Sequence, residues 1–340
     1  MPATPRVSVL LPVRDASPFL SRCLASLAAQ SLSDFEIVAV DDGSRDGSSE
    51  ILAAAARRDP RFRILSQPRS GLIVALNRGL EACRAPYVAR FDADDLAAPR
   101  RLELQAAALD ADPTLGVLSC RVRHFPSSAV GLGFRIYERW LNSLLSHEQI
   151  TRERFIESPL PHPSVMVRRP VLEAAGGYRD RGWPEDYDLW LRLAAAGVRF
   201  AKLPRCLVGW RSHPGRLTHT DRRYAVERFL ACKAHHLAHG PLAGRQPIVW
   251  GAGQTGRRLS KHLEREGAPP AAFVDIDPKK IGGSLRRRPV HAAERLPRLL
   301  TRFDRPMVVT AVSSRGAREL IREQLDGWGL TEGERFWCAA

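Results

Sequence analysis

Apolar residues alternate between two rhythms through the first third of the chain. Short apolar runs at Val7–Leu11, Phe35–Val40, Phe62–Leu65, Tyr87–Phe91 and Val117–Ser119 have the length of strands. The segments between them carry apolar residues at helical spacing. Leu20, Leu24 and Leu27 follow Ser17-Pro18, a capping residue with proline at the first helical position. A second helix is predicted to open near Asp46–Ser48, a third carries Leu72, Leu76 and Leu80, and a fourth starts at Pro99 with Leu102 and Leu109. Strands alternating with helices predict an open, mostly parallel α/β sheet. Ligands of such sheets gather at the carboxyl ends of the strands.

From 121 to 215 the pattern is less regular. It predicts a helix over Tyr137–Leu145, a strand over Ser164–Val167 and a helix over Glu185–Ala196 stopped by Gly197. Residues 216–243 read as a helical connector ending in Gly240-Pro241, and a new α/β alternation starts at Pro247. The expected organisation is therefore an α/β domain over 1–215, the connector 216–243, and a small Rossmann-like α/β domain over 244–340.

A length of 340 residues leaves room for two separate cores. Apolar content of 44% and charged content of 26% are ordinary for a globular protein, so disorder is not expected. No apolar run approaches the ~18 residues of a membrane span, and Met1–Arg6 lacks a signal-peptide pattern. The expectation is a cytoplasmic protein with no transmembrane segment. The six cysteines are scattered without a C-x-x-C pair, which predicts reduced thiols rather than a zinc or disulfide framework. The net charge of +15 has two readings. It is either a solvated, arginine-rich surface or an attraction to anions: nucleoside diphosphates, a lipid-linked phosphate, or an anionic membrane face touched peripherally. The basic residues form no single stripe and match no nucleic-acid module, so nucleic acid is not an expected partner.

Two of the predicted strands end in acids. Phe35–Val40 runs into Asp41-Asp42-Gly43-Ser44, and Tyr87–Phe91 into Asp92-Ala93-Asp94-Asp95. Two carboxylates ~5 Å apart repel by roughly 3 kcal/mol at an effective dielectric of 20, and three or more invite a divalent cation. Oxygen ligands without a neighbouring cysteine favour Mg²⁺ or Mn²⁺. Aspartates also cap helices and turns, a role that suits Asp46 and Asp95, and Arg90, Arg100 and Arg101 offer neutralising charge. Further on, Gly182-Trp183-Pro184-Glu185-Asp186 opens a helix with two acids in its first turn. Asp186, Trp190 and Leu193 share one helical face, which predicts an inward Asp186 whose partial desolvation raises its proton affinity. Acids at this place also complement the helix dipole.

The run VSVLLPVRDASPFLSRCLASLAAQSLSDFEIVAVDDGSRDGS, followed by ARFDADDLAAPRRLELQ, resembles the inverting family 2 glycosyltransferases with the GT-A fold. The resemblance covers about residues 5–215 and is most specific over 5–120. It implies a donor site in which Pro12, Val13 and Arg14 lie at the nucleotide and Asp42 hydrogen-bonds its base. Asp92 and Asp94 match the family's D-x-D, whose acids bind the ribose and the metal bridging the diphosphate. Arg14-Asp15 stands where relatives often carry an aromatic residue and Asn, and an arginine plane can take over the stacking. Glu185-Asp186 matches the position of the catalytic base, with Asp186 as base and Glu185 assisting it or binding acceptor. Trp210-Arg211-Ser212-His213 resembles an aromatic-Arg-x-His stretch whose basic pair approaches the diphosphate or metal. This adds Arg211 to the donor site and His213 to the metal set. His162-Pro163-Ser164 either lines the acceptor cleft or forms a structural turn.

The implied activity is one in-line displacement. A sugar passes from a nucleotide donor, expected to be a UDP-sugar, to a hydroxyl of a saccharide or lipid-linked saccharide. Cell-surface polysaccharide, lipopolysaccharide or capsule synthesis is the implied setting. The whole scheme expects Asp42 and Asp94 to serve one shared pocket.

In the last third, Gly251, Gly253 and Gly256 lie between the predicted strand from Ile248 and a helix, and Asp275 ends a second strand about 22 residues after Gly253. That is the context of a nucleotide-binding loop, although glycines that close a strand-helix turn are needed for packing alone. No His, Tyr or Lys set for hydride transfer accompanies the loop. Two other classes remain as alternatives: a nucleotide-sugar oxidoreductase using this loop, and a noncatalytic nucleotide-binding or scaffold protein.

Overall fold

The structure, a computed structural model, describes residues 4–340. The chain forms two compact units that interleave in sequence. Among the described residues, the first holds those up to Thr151 with Pro159–Arg181 and Arg192–Thr220; the second holds Arg152–Ser158, Gly182–Leu191 and Asp221–Ala340. A chain-order division at 215 and 243 is coarser than this packing. Phe155, Trp183, Tyr187 and Leu191 explain the two excursions, because their apolar side chains belong to the second unit's core.

The first unit is built on an eight-stranded sheet of strands β1 (Val7–Val13), β2 (Phe35–Asp42), β3 (Phe62–Gln67), β4 (Tyr87–Arg90), β5 (Leu96–Ala97), β6 (Leu115–Phe125), β7 (Met166–Arg168) and β8 (Arg199–Arg211). Their order is β3-β2-β1-β4-β7-β6-β8-β5. β1 pairs parallel with both β2 and β4, and β7 runs antiparallel between β4 and β6. This is the curled, mostly parallel sheet of a GT-A fold. Alternate residues of β1 face opposite sides. Val7, Val9, Leu11 and Val13 pack with Leu20, Leu24 and Leu27 of the helix Ser17–Ala28. On the other face, the helix Leu72–Ala82 comes so close that a Cβ on Gly79 would stand 2.3 Å from Leu10 and 2.9 Å from Val40. A glycine in a helix interior costs about 1 kcal/mol relative to alanine, and this close approach explains it.

Several elements differ from the sequence pattern. Ala16 is the cap of the first helix and Ser17-Pro18 are its first residues; the cap is held from outside, with Ser48 Oγ accepting from Ala16 N at 2.9 Å and Asp46 from Ser17 N at 2.8 Å. Ser164 lies in a short 3-10 turn, so β7 starts at Met166. The helix predicted at 137–145 runs over Leu132–Ser143. The pattern also omits the 13-residue strand β8 and the helix His147–Glu153.

The second unit carries strands β9 (Gln246–Trp250), β10 (Ala272–Asp275), β11 (Ser284–Leu285), β12 (Arg288–Ala292), β13 (Pro306–Thr310) and β14 (Phe336–Cys338), in the order β11-β12-β10-β9-β13-β14. All pairings except β11 with β12 are parallel. Strand order reverses at β9, between β10 and β13, and the glycine loop follows β9 there. Val249, Phe273 and Val309 face the helices Val226–Ala238 and Gln254–Arg265, while Ile248, Val274 and Val308 pack with Leu296, Leu299, Ile321 and Leu325.

Candidate active site

Three strand ends of the first sheet meet where β2, β1 and β4 terminate side by side. Val13 pairs with Asp41, and Phe91 N donates to Leu10 O at 3.0 Å, so the acids at the end of β2 and those after β4 flank the end of β1. Pro12 and Val13 are buried in that central strand, whereas Arg14 is exposed and lies 3.5 Å from Asp15. Asp15 ties the β1 loop to the β2 loop: its N–H donates to Ser44 Oγ at 3.1 Å and its carboxylate accepts from Arg45 N at 2.8 Å.

Asp42 is buried, and its carboxylate accepts from Gln67 Nε2, Ser70 N and Gly71 N at 2.7, 2.7 and 2.9 Å. It therefore folds the loop after β3 back over the end of β2. Gly43 permits that approach, since it sits at φ +69° and a Cβ there would stand 2.8 Å from Arg69 N.

The acids after β4 form a cluster. Asp92, Asp94 and Asp95 each offer an oxygen, and these oxygens lie within 4.8 Å of one another. Burial pushes the Asp92 carboxyl above its usual range against the pull of Arg90, and Asp94 adds to the rise. Burial pushes Asp95 up further, reinforced by the charges of Asp94 and Asp92. Asp95 accepts from Arg211 N at 2.7 Å, while its second oxygen is buried without a hydrogen-bond partner among the described residues. Its place in the sequence suits Asp95 equally to a cap and to the acid run; its burial beside two other acids makes it a full member of the cluster.

Cations surround this cluster, with Arg90 paired to Asp92. Arg101, fully buried, stacks its guanidinium 4.8 Å from the Phe91 ring and donates to Arg90 O at 2.9 Å. Burial lowers its pKa to about 10. From the end of β8, Arg211 donates to Asp94 O at 2.6 Å and lies between the rings of Phe19 and Phe125, at 4.9 and 4.4 Å. Two residues on, His213 Nε2 lies 2.9 Å from Asp94 Oδ2. The donor set is thus carboxylate oxygens plus one imidazole, with an unsatisfied buried carboxylate oxygen among them, and that fits a hard divalent cation.

His162-Pro163-Ser164 is buried throughout. His162 Nε2 lies 3.0 Å from Tyr178 Oη, and burial with the nearby Arg90 charge holds its pKa well below the usual value. Ser164 Oγ lies 2.6 Å from Ser119 Oγ. These contacts fit the structural-turn reading.

In the second unit, the first turns of the helix Glu185–Ala195 carry the two predicted acids. Glu185, rather than Asp186, is the enclosed one: it is 1% exposed, and both its oxygens accept from Tyr224 Oη, at 3.0 and 2.9 Å. Asp186 is half-buried and accepts from Tyr187 N at 2.7 Å. Asp188, also 1% exposed, accepts from Trp183 Nε1 at 3.1 Å.

The glycine loop after β9 is explained by packing at two of its three glycines. Gly251 sits at φ +117° with a Cβ position 2.8 Å from Ala311 O, and a Cβ on Gly256 would overlap Gly251 O at 1.7 Å. Asp275 accepts from Ala252 N at 2.7 Å and from Asp277 N at 2.9 Å, with Lys280 Nζ at 3.3 Å. Its carboxylate braces the loop itself.

A curled, mostly parallel sheet with an acid cluster at the carboxyl end of its central strands is the architecture of the GT-A fold. The pattern of Glycosyl transferase family 2 matches residues 8–176. The amylovoran biosynthesis glycosyltransferase AmsE of Erwinia amylovora is 34% identical over 193 residues, 56% of this chain and 69% of that protein. An uncharacterized glycosyltransferase of Haemophilus influenzae is 30% identical over 203 residues, 59% of this chain and 73% of that one. Among solved structures, S. aureus TarS 1-349 has a similar fold, with a TM-score of 0.55 at 17% identity over 87% of this chain and 78% of that chain. The chain belongs to glycosyl transferase family 2.

Proposed function

We propose that this glycosyltransferase moves a sugar from a UDP-sugar to a hydroxyl of a saccharide or lipid-linked saccharide, with inversion, in cell-surface polysaccharide synthesis. The observation that carries the reading is the Asp92–Asp94–Asp95 cluster held by Arg211 and His213. Family membership supports the reaction class, AmsE's role in amylovoran biosynthesis supports a polysaccharide product, and S. aureus TarS 1-349 has been solved with UDP and with UDP-GlcNAc.

In this reading Asp92, Asp94 and His213 would hold Mg²⁺ or Mn²⁺, with the neighbouring Asp95 adding negative charge to the site. The cation supplies Lewis-acid stabilisation of the departing diphosphate, a contribution of several kcal/mol. Arg211 offers the diphosphate a guanidinium fixed between two rings, oriented before the donor arrives. Pro12, Val13, Arg14 and Asp42 line the nucleotide side, Asp42 acting through the loop it closes. Asp186 takes the proton from the acceptor hydroxyl as that oxygen attacks the anomeric carbon; its half-exposed position leaves it accessible to an acceptor. Glu185, buried and hydrogen-bonded by Tyr224, holds the first helical turn in place. The loop of Gly251, Gly253, Gly256 and Asp275 is secondary in this scheme, and a nucleotide there would meet a brace rather than an open carboxylate. The net charge of +15 and the exposed Leu132 beside Arg135 and Arg139 support peripheral contact with an anionic membrane face carrying the acceptor. No described helix is long and apolar enough to cross a membrane.

A donor screen tests the reading. Pooled UDP-, GDP- and dTDP-sugars are incubated with the protein and Mn²⁺, and the released diphosphate is identified. Release of UDP that stops with EDTA and in Asp94→Ala is the expected result. Release that persists in both would remove the cluster from the reaction.

A further inference from the structure

The end of the helix Val226–Ala238 carries one of two further groups of ligating side chains, independent of the aspartate cluster; the other, Asp188, Cys232 and His236, is more deeply buried. His235 lies in the last turn and His239 is the C-cap, one turn further and on the same face. Their ring centroids are 4.4 Å apart. Glu266, the C-cap of the neighbouring helix Gln254–Arg265, reaches both: its Oε2 lies 2.8 Å from His235 Nδ1 and 3.6 Å from His239 Nδ1. One ligand atom from each residue falls within 4.8 Å of the others.

Cationic side chains at a helix C-terminus complement its dipole, and one histidine paired with Glu266 would suffice for that. Two imidazoles and a carboxylate from two helices converging on one point is a different arrangement. Around an ion bound at about 2.0–2.2 Å, tetrahedral ligand atoms stand roughly 3.3–3.6 Å apart, and the observed separations of 2.8 and 3.6 Å are close to that spacing. His239 is 58% exposed, which gives an ion a way in and leaves room for water as a further ligand. His235 lies with its ring centroid 5.3 Å from that of Trp183, which helps fix its plane. His239 Nδ1 lies 2.9 Å from His235 O, so binding through that nitrogen releases one capping hydrogen bond.

We propose that His235, His239 and Glu266 form a binding site for a divalent transition metal of the Zn²⁺ class, which staples the C-terminal ends of the two helices together. Two imidazoles and one carboxylate suit Zn²⁺ rather than Mg²⁺, in contrast to the oxygen-rich aspartate cluster. A metal that binds only the folded state stabilises it in proportion to the logarithm of its concentration over Kd.

The test is calorimetric titration of the 340-residue Asp94→Ala protein with Zn²⁺, with excess Mg²⁺ present to occupy what remains of the aspartate cluster. One Zn²⁺ per chain is expected. Adding His239→Ala should weaken it at least tenfold, and adding Glu266→Gln should do likewise. Zn²⁺ should also raise the melting temperature of Asp94→Ala but not of the variant that also carries His239→Ala. Both substitutions lie at partly exposed positions, so folding is preserved and circular dichroism verifies it. Absence of stoichiometric Zn²⁺ binding in Asp94→Ala, or unchanged affinity after His239→Ala and Glu266→Gln, overturns the proposal. Neither result bears on sugar transfer, which is read separately by diphosphate release.

Discussion

His213 reaches back across 119 residues to place Nε2 2.9 Å from Asp94 Oδ2. The imidazole also packs against Phe19, with ring centroids 4.6 Å apart, so it is held by an aromatic contact as well as by the carboxylate. One histidine thereby joins the loop after β4 to the segment after β8.

If that contact organises the cation site, His213→Ala should lower Mn²⁺ affinity by about 10–100-fold, the usual cost of losing a ligand or its orienting partner. Asp94→Ala should abolish Mn²⁺-dependent UDP binding. Calorimetry with and without Mn²⁺ reads both. Equal Mn²⁺ affinity in His213→Ala and wild type would detach His213 from the site.

Asp95 should be a site where function opposes stability. Its burial beside Asp92 and Asp94 raises its carboxyl well above the ordinary range, so the ionised form is disfavoured when no cation is bound. Asp95→Asn keeps an oxygen able to accept from Arg211 N and removes the charge. The variant should melt a few degrees higher than wild type in EDTA at neutral pH and bind Mn²⁺ more weakly. The sign follows from linkage. The folded state holds its proton to higher pH than the unfolded state, so the penalty is absent below the ordinary carboxylate range and develops as pH rises through the folded pKa. The melting advantage should accordingly vanish in acid.

The two acids that open the helix at Glu185 should separate in kinetics. Asp186→Asn should retain donor affinity while kcat falls by ~10²–10⁴, the range for losing a general base. Glu185→Gln leaves Tyr224 a poorer partner in a buried site and should lower stability by about 1–3 kcal/mol, with the smaller effect on kcat. Turnover with saturating donor, together with urea unfolding, distinguishes them. Asp186→Asn with wild-type kcat would exclude it as the base.

Lys202 gives the fold a pH signature far from the carboxylates. Burial lowers its pKa to about 7, with Cys120 and Arg121 acting in opposite senses, and Nζ donates to the carbonyls of Leu141 and Pro159. The unfolded chain keeps this proton until about pH 10.4. Between the two values the unfolded state binds more protons, so stability rises with pH. Across pH 7–10, wild type should gain about 3 kcal/mol relative to Lys202→Met, from about 1.4 kcal/mol per unit of pKa difference. Parallel urea-unfolding curves for the two proteins at each pH would contradict the assignment.

The apolar rhythm of the sequence determined the parallel strands β1 to β4 and their helices, because each pairs or packs with near neighbours and keeps a regular period. The acids ending β2 and the acid run after β4 were legible for the same reason, since parallel strands place their carboxyl ends on one edge. Strand β8 was not legible. Lys202, Pro204 and Arg205 interrupt its alternation, and its long pairing with β6 shifts register near Arg121. That distant pairing, which no local pattern encodes, delivers Arg211 and His213 to the aspartates. Tertiary structure likewise decided that Asp95 joins the cluster and that Glu185 is the buried acid of its pair. It also decided that Asp275 braces its own loop and that Glu266 meets His235 and His239. Burial and partnership depend on which surfaces meet across the fold; a local sequence specifies only the faces it has to offer.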